Sequence, residues 1–91
     1  MTTNQSTENN EIVIYSTLIC PYCHAAKQLL ASKHLKYQEI RVDQDPNQRK
    51  IMIDKSGRTS VPQIFINETH VGGFDDLNAA NRSGKLDELL N

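Results

Sequence analysis

Two cysteines, Cys20 and Cys23, are the only ones in the 91-residue chain, and they stand in the segment Cys20-Pro21-Tyr22-Cys23. A short apolar run precedes them, and a helical pattern begins at Pro21. The first turn of a helix presents unpaired backbone N–H groups and the positive end of the dipole. A thiolate at Cys20 is therefore expected to have a pKa below the ~8.5 of a free cysteine. The spacing predicts Cys20 as an exposed attacking thiol and Cys23, one turn inward, as its resolving partner.

Three other interpretations fit a cysteine pair of this kind. A structural disulfide is disfavoured, because the loop is short and a small secreted domain normally carries more cysteines. A metal half-site would use His24 with both cysteines, but zinc usually takes four ligands. The pattern C-x-x-C-H, completed by His24, is also that of covalent haem attachment. The β-α-β context favours redox chemistry over all three, and it predicts that His24 faces solvent.

Composition narrows the class of protein. With 37% hydrophobic and 23% charged residues, the chain is typical of one soluble globular domain. The formal net charge of −1 gives no electrostatic reason to expect nucleic acid or an anionic membrane as a partner. No apolar run approaches the roughly 20 residues that span a bilayer. The first ten residues lack the basic start and apolar stretch of a signal peptide, so we expect a cytoplasmic protein. We also expect it to be a monomer.

The hydrophobic pattern predicts the element order β-α-β-α-β-β-α. A polar, disordered tail is expected over residues 1–10, followed by a single domain over 11–91. Helical signals begin at Pro21, with Tyr22, Leu29 and Leu30 on one apolar face, and at Asp45–Pro46. The predicted strands cover 12–15, 37–42, 63–66 and 70–71, and a last helical region covers 75–90 with an interruption at residues 83–84.

Three motifs stand in order along the chain, preceded by Ile14-Tyr15: Cys20-Pro21-Tyr22-Cys23, Ser60-Val61-Pro62-Gln63-Ile64-Phe65-Ile66 and Gly72-Gly73-Phe74-Asp75-Asp76-Leu77. Together, on this element order, they resemble the glutaredoxin family in its dithiol bacterial form. The resemblance covers residues 11–90 and implies a thioredoxin-like α/β fold, a four-stranded mixed sheet flanked by helices. It also implies a glutathione-dependent thiol–disulfide oxidoreductase that reduces protein disulfides and glutathione mixed disulfides. Glutathione would be reductant and co-substrate, with no tightly bound cofactor and no metal.

The resemblance assigns roles to individual positions. Cys20 matches the nucleophile and Cys23 the second thiol of a redox-active Cys20–Cys23 disulfide. The Val61–Pro62 peptide bond is expected to be cis, so that the backbone of Val61 pairs with glutathione like an added strand. The remaining implied glutathione-binding residues are Tyr22 along the groove, Arg49 at the glycine carboxylate, Ser60 beside Val61, and Gly73, Phe74, Asp75 and Asp76 at the γ-glutamyl end.

Two positions depart from the family pattern. Many relatives carry a lysine three residues before the nucleophile, where this chain has Thr17, and some carry a third cysteine at the position of Phe74. The alternative function is an iron–sulfur cluster or metal carrier that uses Cys20 with glutathione. Pro21 and Tyr22 argue against it, since cluster-specialised relatives usually have one active-site cysteine with a glycine beside it.

Overall fold

The computed structural model describes residues 10–90, and its element order agrees with the prediction. The final helical region is divided, as expected, by Gly84, whose φ of +87° is a left-handed conformation suited to glycine. In chain order the elements are β1 (Ile12–Ser16), α1 (Pro21–Ser32), β2 (Gln38–Arg41), α2 (Pro46–Ser56), β3 (Gln63–Ile66), β4 (Thr69–Gly72), α3 (Phe74–Ser83) and α4 (Lys85–Leu89).

The four strands form one mixed sheet in the order β2-β1-β3-β4. Strand β1 pairs in parallel with β2 and antiparallel with β3, and β3 pairs antiparallel with β4. A crossover helix joins the parallel pair, as such a pair requires. This is the thioredoxin-like arrangement that the sequence predicts, and it brings the carboxyl end of β1 beside the segment that enters β3.

Helix α2 shows how local signals set the element boundaries. The Asp45 carboxylate accepts a hydrogen bond from the Asn47 backbone N–H at 3.0 Å, and Pro46 occupies the first helical position. The helix ends at Gly57, which has a φ of +73° and donates its N–H to the Ile53 carbonyl. Both ends lie where the sequence places them.

Two apolar clusters pack on the sheet. The larger one contains Leu30 of α1, Leu77 of α3 and Leu86 of α4. The smaller one contains Met52, the only buried residue of α2, and Phe65 of β3. Helices therefore pack against the strands through both clusters. This packing positions the loops at the end of β1 and before β3.

The predicted apolar face of α1 needs one correction. Cys23, Ala26 and Leu30 are the buried residues of this helix, whereas Tyr22 is 63% exposed. Tyr22 lies in the first turn, beyond the sheet, and its ring stacks on that of Phe74 with centroids 6.2 Å apart. Its apolar ring therefore belongs to a surface near the cysteines rather than to the core.

The predicted tail falls largely on residues 1–9, which lie outside the described residues. Asn10 is described, and its side chain accepts a hydrogen bond from Asn67 Nδ2 at 2.9 Å. The Glu11 N–H donates to Asn67 Oδ1, and the Asn67 N–H donates to the Glu11 carbonyl. The chain is thus attached to the β3–β4 turn from residue 10 onward. Within residues 10–90 no helix is long and apolar enough to cross a bilayer.

Candidate active site

Cys20 and Cys23 form a disulfide at the start of α1, with Cα atoms 5.2 Å apart. This separation lies within the usual range for disulfides. Cys20 is 8% exposed and Cys23 is 1% exposed, so the expected order of accessibility holds. The expectation of an exposed Cys20 is wrong in absolute terms, because the N-cap turn directs its sulfur inward against Val61.

Backbone groups of the helix start surround the Cys20 sulfur. Cys20 is the N-cap residue of α1, with extended dihedral angles, and its Sγ accepts a hydrogen bond from the Cys23 N–H at 3.1 Å. The His24 N–H donates to the Cys20 carbonyl at 3.1 Å and closes the first turn. Because an N–H donor and the helix dipole both favour negative charge at this point, the arrangement stabilises a Cys20 thiolate once the disulfide is reduced.

The segment before β3 forms the other wall at the sulfur. The Val61–Pro62 peptide bond is cis, as predicted, and the Val61 carbonyl oxygen lies 3.9 Å from Cys20 Sγ. Among residues 10–90, no group hydrogen-bonds to the Val61 N–H. A free backbone donor therefore stands next to the reactive sulfur.

A buried glutamine supports this wall. Gln63, 1% exposed, donates its Nε2 to the Ser60 carbonyl at 3.0 Å. Its Oε1 then faces His70 Nε2 at 2.7 Å, so His70 must carry the proton on that nitrogen. Burial, followed by the charge of Arg58, lowers the pKa of His70 from its usual value. The neutral ring therefore persists to lower pH than usual.

An open cleft of about 250 Å³ lies beside the cysteines. Arg49 does not line it; its guanidinium donates to the Thr59 carbonyl at 3.0 Å. Arg58 and Gln63 also line the cleft, although the sequence alone indicates no binding role for either: Arg58 follows a helix that carries several other cations, and Gln63 begins an apolar strand. The predicted residues that line the cleft are Tyr22, Ser60, Val61, Pro62, Gly73, Phe74, Asp75 and Asp76.

Asp76 organises the far end of the cleft. Its Oδ2 accepts the Gly73 N–H at 3.0 Å and the Arg58 guanidinium at 3.1 Å. These contacts, the Gly73 N–H first, lower the pKa of Asp76. Gly72 makes the approach possible: it has a φ of +119°, and a Cβ there would lie 2.7 Å from Asp76 Cγ. The first N–H groups of α3 remain available to a ligand in the cleft.

The loop between β1 and α1 is anchored from β2. The Leu18 N–H donates to Asp43 Oδ2 at 3.2 Å, and the same carboxylate accepts two hydrogen bonds from one edge of the Arg41 guanidinium, from Nη2 at 2.7 Å and Nε at 2.8 Å. The Arg41 hydrogen bonds lower the pKa of Asp43 to about 2. Thr17, which precedes Leu18, is half-buried and does not line the cleft.

His24 is exposed, as predicted. Across residues 10–90, no three histidine, cysteine, aspartate or glutamate side chains form a group that could hold a metal ion.

Fold and site together define a thioredoxin-like protein with a redox-active cysteine pair at a helix N-terminus. Comparison with known proteins agrees. The glutaredoxin family model matches residues 12–71. Over 79 residues the chain is 57% identical to a glutaredoxin of Pseudomonas aeruginosa and 52% identical to glutaredoxin 3 of Escherichia coli K12. These matches cover 87% of the chain and 94% and 95% of the two relatives, respectively. The chain belongs to the glutaredoxin family.

Solved structures give the same result. The solution structure of a Brucella melitensis glutaredoxin has a TM-score of 0.77 at 49% identity, and the match covers 88% of this chain and 87% of that one. A buckwheat glutaredoxin–glutathione complex has a TM-score of 0.81 at 31% identity, covering 94% and 81%. Family membership makes the protein a thiol oxidoreductase.

Proposed function

We propose that the protein is a glutathione-dependent oxidoreductase that reduces glutathione mixed disulfides and protein disulfides. The observation that carries the proposal is the Cys20 sulfur, which lies between the Cys23 N–H at 3.1 Å and Val61 at the edge of an open cleft. A thiolate at this point has a stabilising donor on one side and room for a disulfide substrate on the other. The buckwheat relative was solved with glutathione, which supports glutathione as the ligand of the cleft.

With a mixed disulfide, the Cys20 thiolate attacks the glutathione sulfur. A bond forms between Cys20 and glutathione, and the protein substrate leaves as a thiolate that takes a proton from water. A second glutathione thiolate then attacks the glutathione bound to Cys20. This step releases oxidised glutathione and restores the Cys20 thiolate, so one mixed disulfide and one free glutathione become one protein thiol and one oxidised glutathione.

With a protein disulfide, Cys20 attacks one substrate sulfur and forms an intermolecular disulfide. Cys23 lies one turn along α1 and attacks Cys20, which releases the reduced substrate and leaves the Cys20–Cys23 disulfide. Two glutathione molecules then reduce that disulfide. The low exposure of Cys23 supports its role as the resolving thiol, because an external substrate meets Cys20 first.

Glutathione is proposed to lie along the cleft, with the backbone of its cysteinyl unit paired to the free N–H of Val61. The first N–H groups of α3, at Phe74 and Asp75, suit the γ-glutamyl carboxylate, and Arg58 adds positive charge there. The ionised Asp76 suits the γ-glutamyl ammonium group. Arg49 donates one hydrogen bond to the Thr59 carbonyl. The remaining N–H groups of its guanidinium are proposed to bind the glycine carboxylate.

Such a protein works where glutathione and its reductase maintain thiols, and we propose the cytoplasm as its compartment. It is proposed to act as a monomer, because one chain supplies both sulfurs and the whole cleft.

The test is turnover of hydroxyethyl disulfide, premixed with glutathione, coupled to glutathione reductase and NADPH. Wild-type protein is expected to consume NADPH in proportion to its concentration, and Cys20→Ser to show the uncatalysed rate. No turnover by the wild type would overturn the proposal. The same result with a brown protein absorbing in the visible range would favour an iron–sulfur carrier.

A further inference from the structure

Exposed large hydrophobic side chains are concentrated around Cys20 on the described surface. Within residues 10–90, four such side chains are exposed. Two of them precede Cys20 in the sequence and one follows it. Leu18 is 63% exposed, Ile19 88% and Tyr22 63%, whereas Ile51 on α2 is 42% exposed and stands apart in sequence. We call Leu18, Ile19 and Tyr22 the apolar collar.

Hydrogen bonds and ring stacking hold the collar in its exposed position. The Leu18 N–H is fixed by Asp43, which in turn is fixed by two hydrogen bonds from Arg41. Tyr22 stacks on Phe74. Because Cys20 caps α1 with its own sulfur, the chain between these anchors cannot turn Leu18 and Ile19 inward without breaking contacts.

The collar and the cleft are different surfaces that meet at Cys20. Tyr22 contributes to both, but Leu18 and Ile19 do not line the cleft. Asp43, which binds the Leu18 N–H, is paired with Arg41 at the end of β2, so its charge is neutralised. The cleft side instead carries Arg58, Asp75 and Asp76. Cys20 thus has a polar, charged neighbour on one side and an uncharged, apolar one on the other.

We propose that the apolar collar binds the residues that flank the oxidised cysteine of a polypeptide substrate, and that it selects substrates with large apolar side chains there. The proposal rests on the proposed function. When the glutathione half of a mixed disulfide lies in the cleft, the bound polypeptide half must extend away from Cys20 on the opposite side of the sulfur. Neighbours of the substrate cysteine lie only about 3.3–3.6 Å further per residue, which places them over the collar.

The size of the collar favours a short peptide segment over a second copy of the chain. A stable protein–protein interface takes about 20–30 residues from each partner. Three side chains fall far short of that number, but they match the few residues on either side of one cysteine. Burying apolar side chains against each other is favourable and independent of charge, so the expected selectivity should survive raised salt.

Two glutathionylated pentapeptides test the proposal, one with leucine and phenylalanine flanking its cysteine, the other with serine and asparagine. The wild type is expected to prefer the apolar peptide by roughly tenfold in kcat/KM, as burial of one or two side chains implies. The double variant Leu18→Ser/Ile19→Ser should lose that preference through slower turnover of the apolar peptide. Ile51→Ser, which removes an exposed apolar side chain elsewhere, should keep the wild-type ratio.

The mixed disulfide of glutathione with β-mercaptoethanol, which has no peptide part, separates the two proposals. All three proteins should turn it over at equal rates. If the wild type fails with this substrate, the proposed function is wrong; if it succeeds but shows no peptide preference, only the collar proposal is wrong. A preference that persists in the double variant also overturns it. So does a wild-type dimer, seen by sedimentation, that dissociates in the double variant, because the occupant would then be a second copy.

Discussion

At the scale of single residues, the two cysteines lie close together but have different surroundings. Cys20 caps a helix and lies 3.9 Å from the carbonyl of Val61, which lines the cleft, whereas Cys23 is one of the buried residues of α1. A division of labour follows from this difference, because only Cys20 can meet an external sulfur.

Replacement of each cysteine separates the two reactions. Cys20→Ser is expected to abolish reduction of every disulfide. Cys23→Ser should retain reduction of glutathione mixed disulfides, which needs one sulfur, and lose most reduction of protein disulfides. Initial rates with hydroxyethyl disulfide and with a protein disulfide measure the two reactions. Identical behaviour of the two variants in both assays would contradict the assigned roles.

Thr17 supplies a hydroxyl group where many relatives have a charge. Thr17→Lys is expected to stabilise the Cys20 thiolate and to tighten glutathione binding by less than roughly tenfold, since an exposed pair is worth only about 0.2–1 kcal/mol. The gain should shrink with added salt, because exposed charges are screened over about 8–10 Å. Thiolate absorbance titration and the glutathione KM, at low and high salt, are the measurements. No change at low salt would mean that this side chain points away from the site.

Asp43, which anchors the loop beside Cys20, is expected to make the free energy of unfolding depend on pH in acid. Its pKa is lowered to about 2 by Arg41, so its stabilising contribution is complete above the unfolded value near 4 and is lost as pH falls toward 2. Asp43→Asn should therefore be less stable than wild type at neutral pH, with a gap that closes between about pH 4 and 2. Urea unfolding across this range measures the gap, with Asp54→Asn, an exposed carboxylate of α2 without an ion pair among residues 10–90, as the control. A gap that stays constant with pH would refute the linkage.

Sequence reasoning locates residues whose chemistry is local. The cysteine spacing needs no partner from elsewhere in the chain to be recognised, and the cis bond at Val61–Pro62 follows from the resemblance of a short motif. Arg58 and His70 could not be found in this way, because their roles depend on contacts with Asp76 and Gln63 that only the folded chain creates. The exposure of Leu18 and Ile19 runs against what their residue types predict, since such side chains are usually buried.

At the scale of elements, the β4–α3 junction depends on one glycine. Gly72 ends β4 with a φ of +119° and leaves space for Asp76 to cap α3. The sequence indicates a break at Gly72–Gly73, but it does not show which glycine is irreplaceable. The structure does, because a Cβ at Gly73 would meet only the Pro62 carbonyl oxygen, at an ordinary 3.5 Å. Helix ends such as Asp45–Pro46 and Gly57 are predictable because their signals are local, whereas the exposure of Tyr22 depends on packing.

Gly72→Ala is expected to displace the Asp76 carboxylate from the Gly73 N–H and Arg58. Loss of a charged hydrogen bond costs about 1.5–3 kcal/mol, so the glutathione KM should rise by roughly tenfold or more. Gly84→Ala is the matched control: it has the same left-handed backbone problem, but nothing lies within 4 Å of its Cβ. It should lower stability by about 1–2 kcal/mol and leave the KM unchanged. Equal KM values in the two variants would rule out the role assigned to Gly72.

At the scale of the whole molecule, stability is divided between the two faces of the sheet. One face is covered by α1, α3 and α4, and the other by α2, which buries Met52 alone. The smaller cluster therefore depends heavily on one side chain, and its loss should loosen α2 without touching the sulfurs.

Met52→Ala is expected to lower the free energy of unfolding by about 2–5 kcal/mol, because it leaves a cavity under α2. The neighbouring Ile51→Ala, at an exposed position, should change it by only about 0.5 kcal/mol. Urea denaturation gives both values. Since Met52 does not line the cleft, kcat/KM per folded molecule should stay at the wild-type level. A small effect at Met52 would show that α2 is held by other contacts.

The order β2-β1-β3-β4 leaves two strands with an unpaired side. Strand β2 is four residues long, and its Glu39 and Arg41 are engaged in ion pairs with Lys27 and Asp43. Strand β4 is equally short, shifts register opposite Ile64 and Phe65, and stops at the left-handed Gly72. Short, charged or irregular edges are poor templates for a neighbouring chain. We therefore expect crowded molecules of this protein to resist the edge-to-edge strand pairing from which amyloid-like aggregates grow.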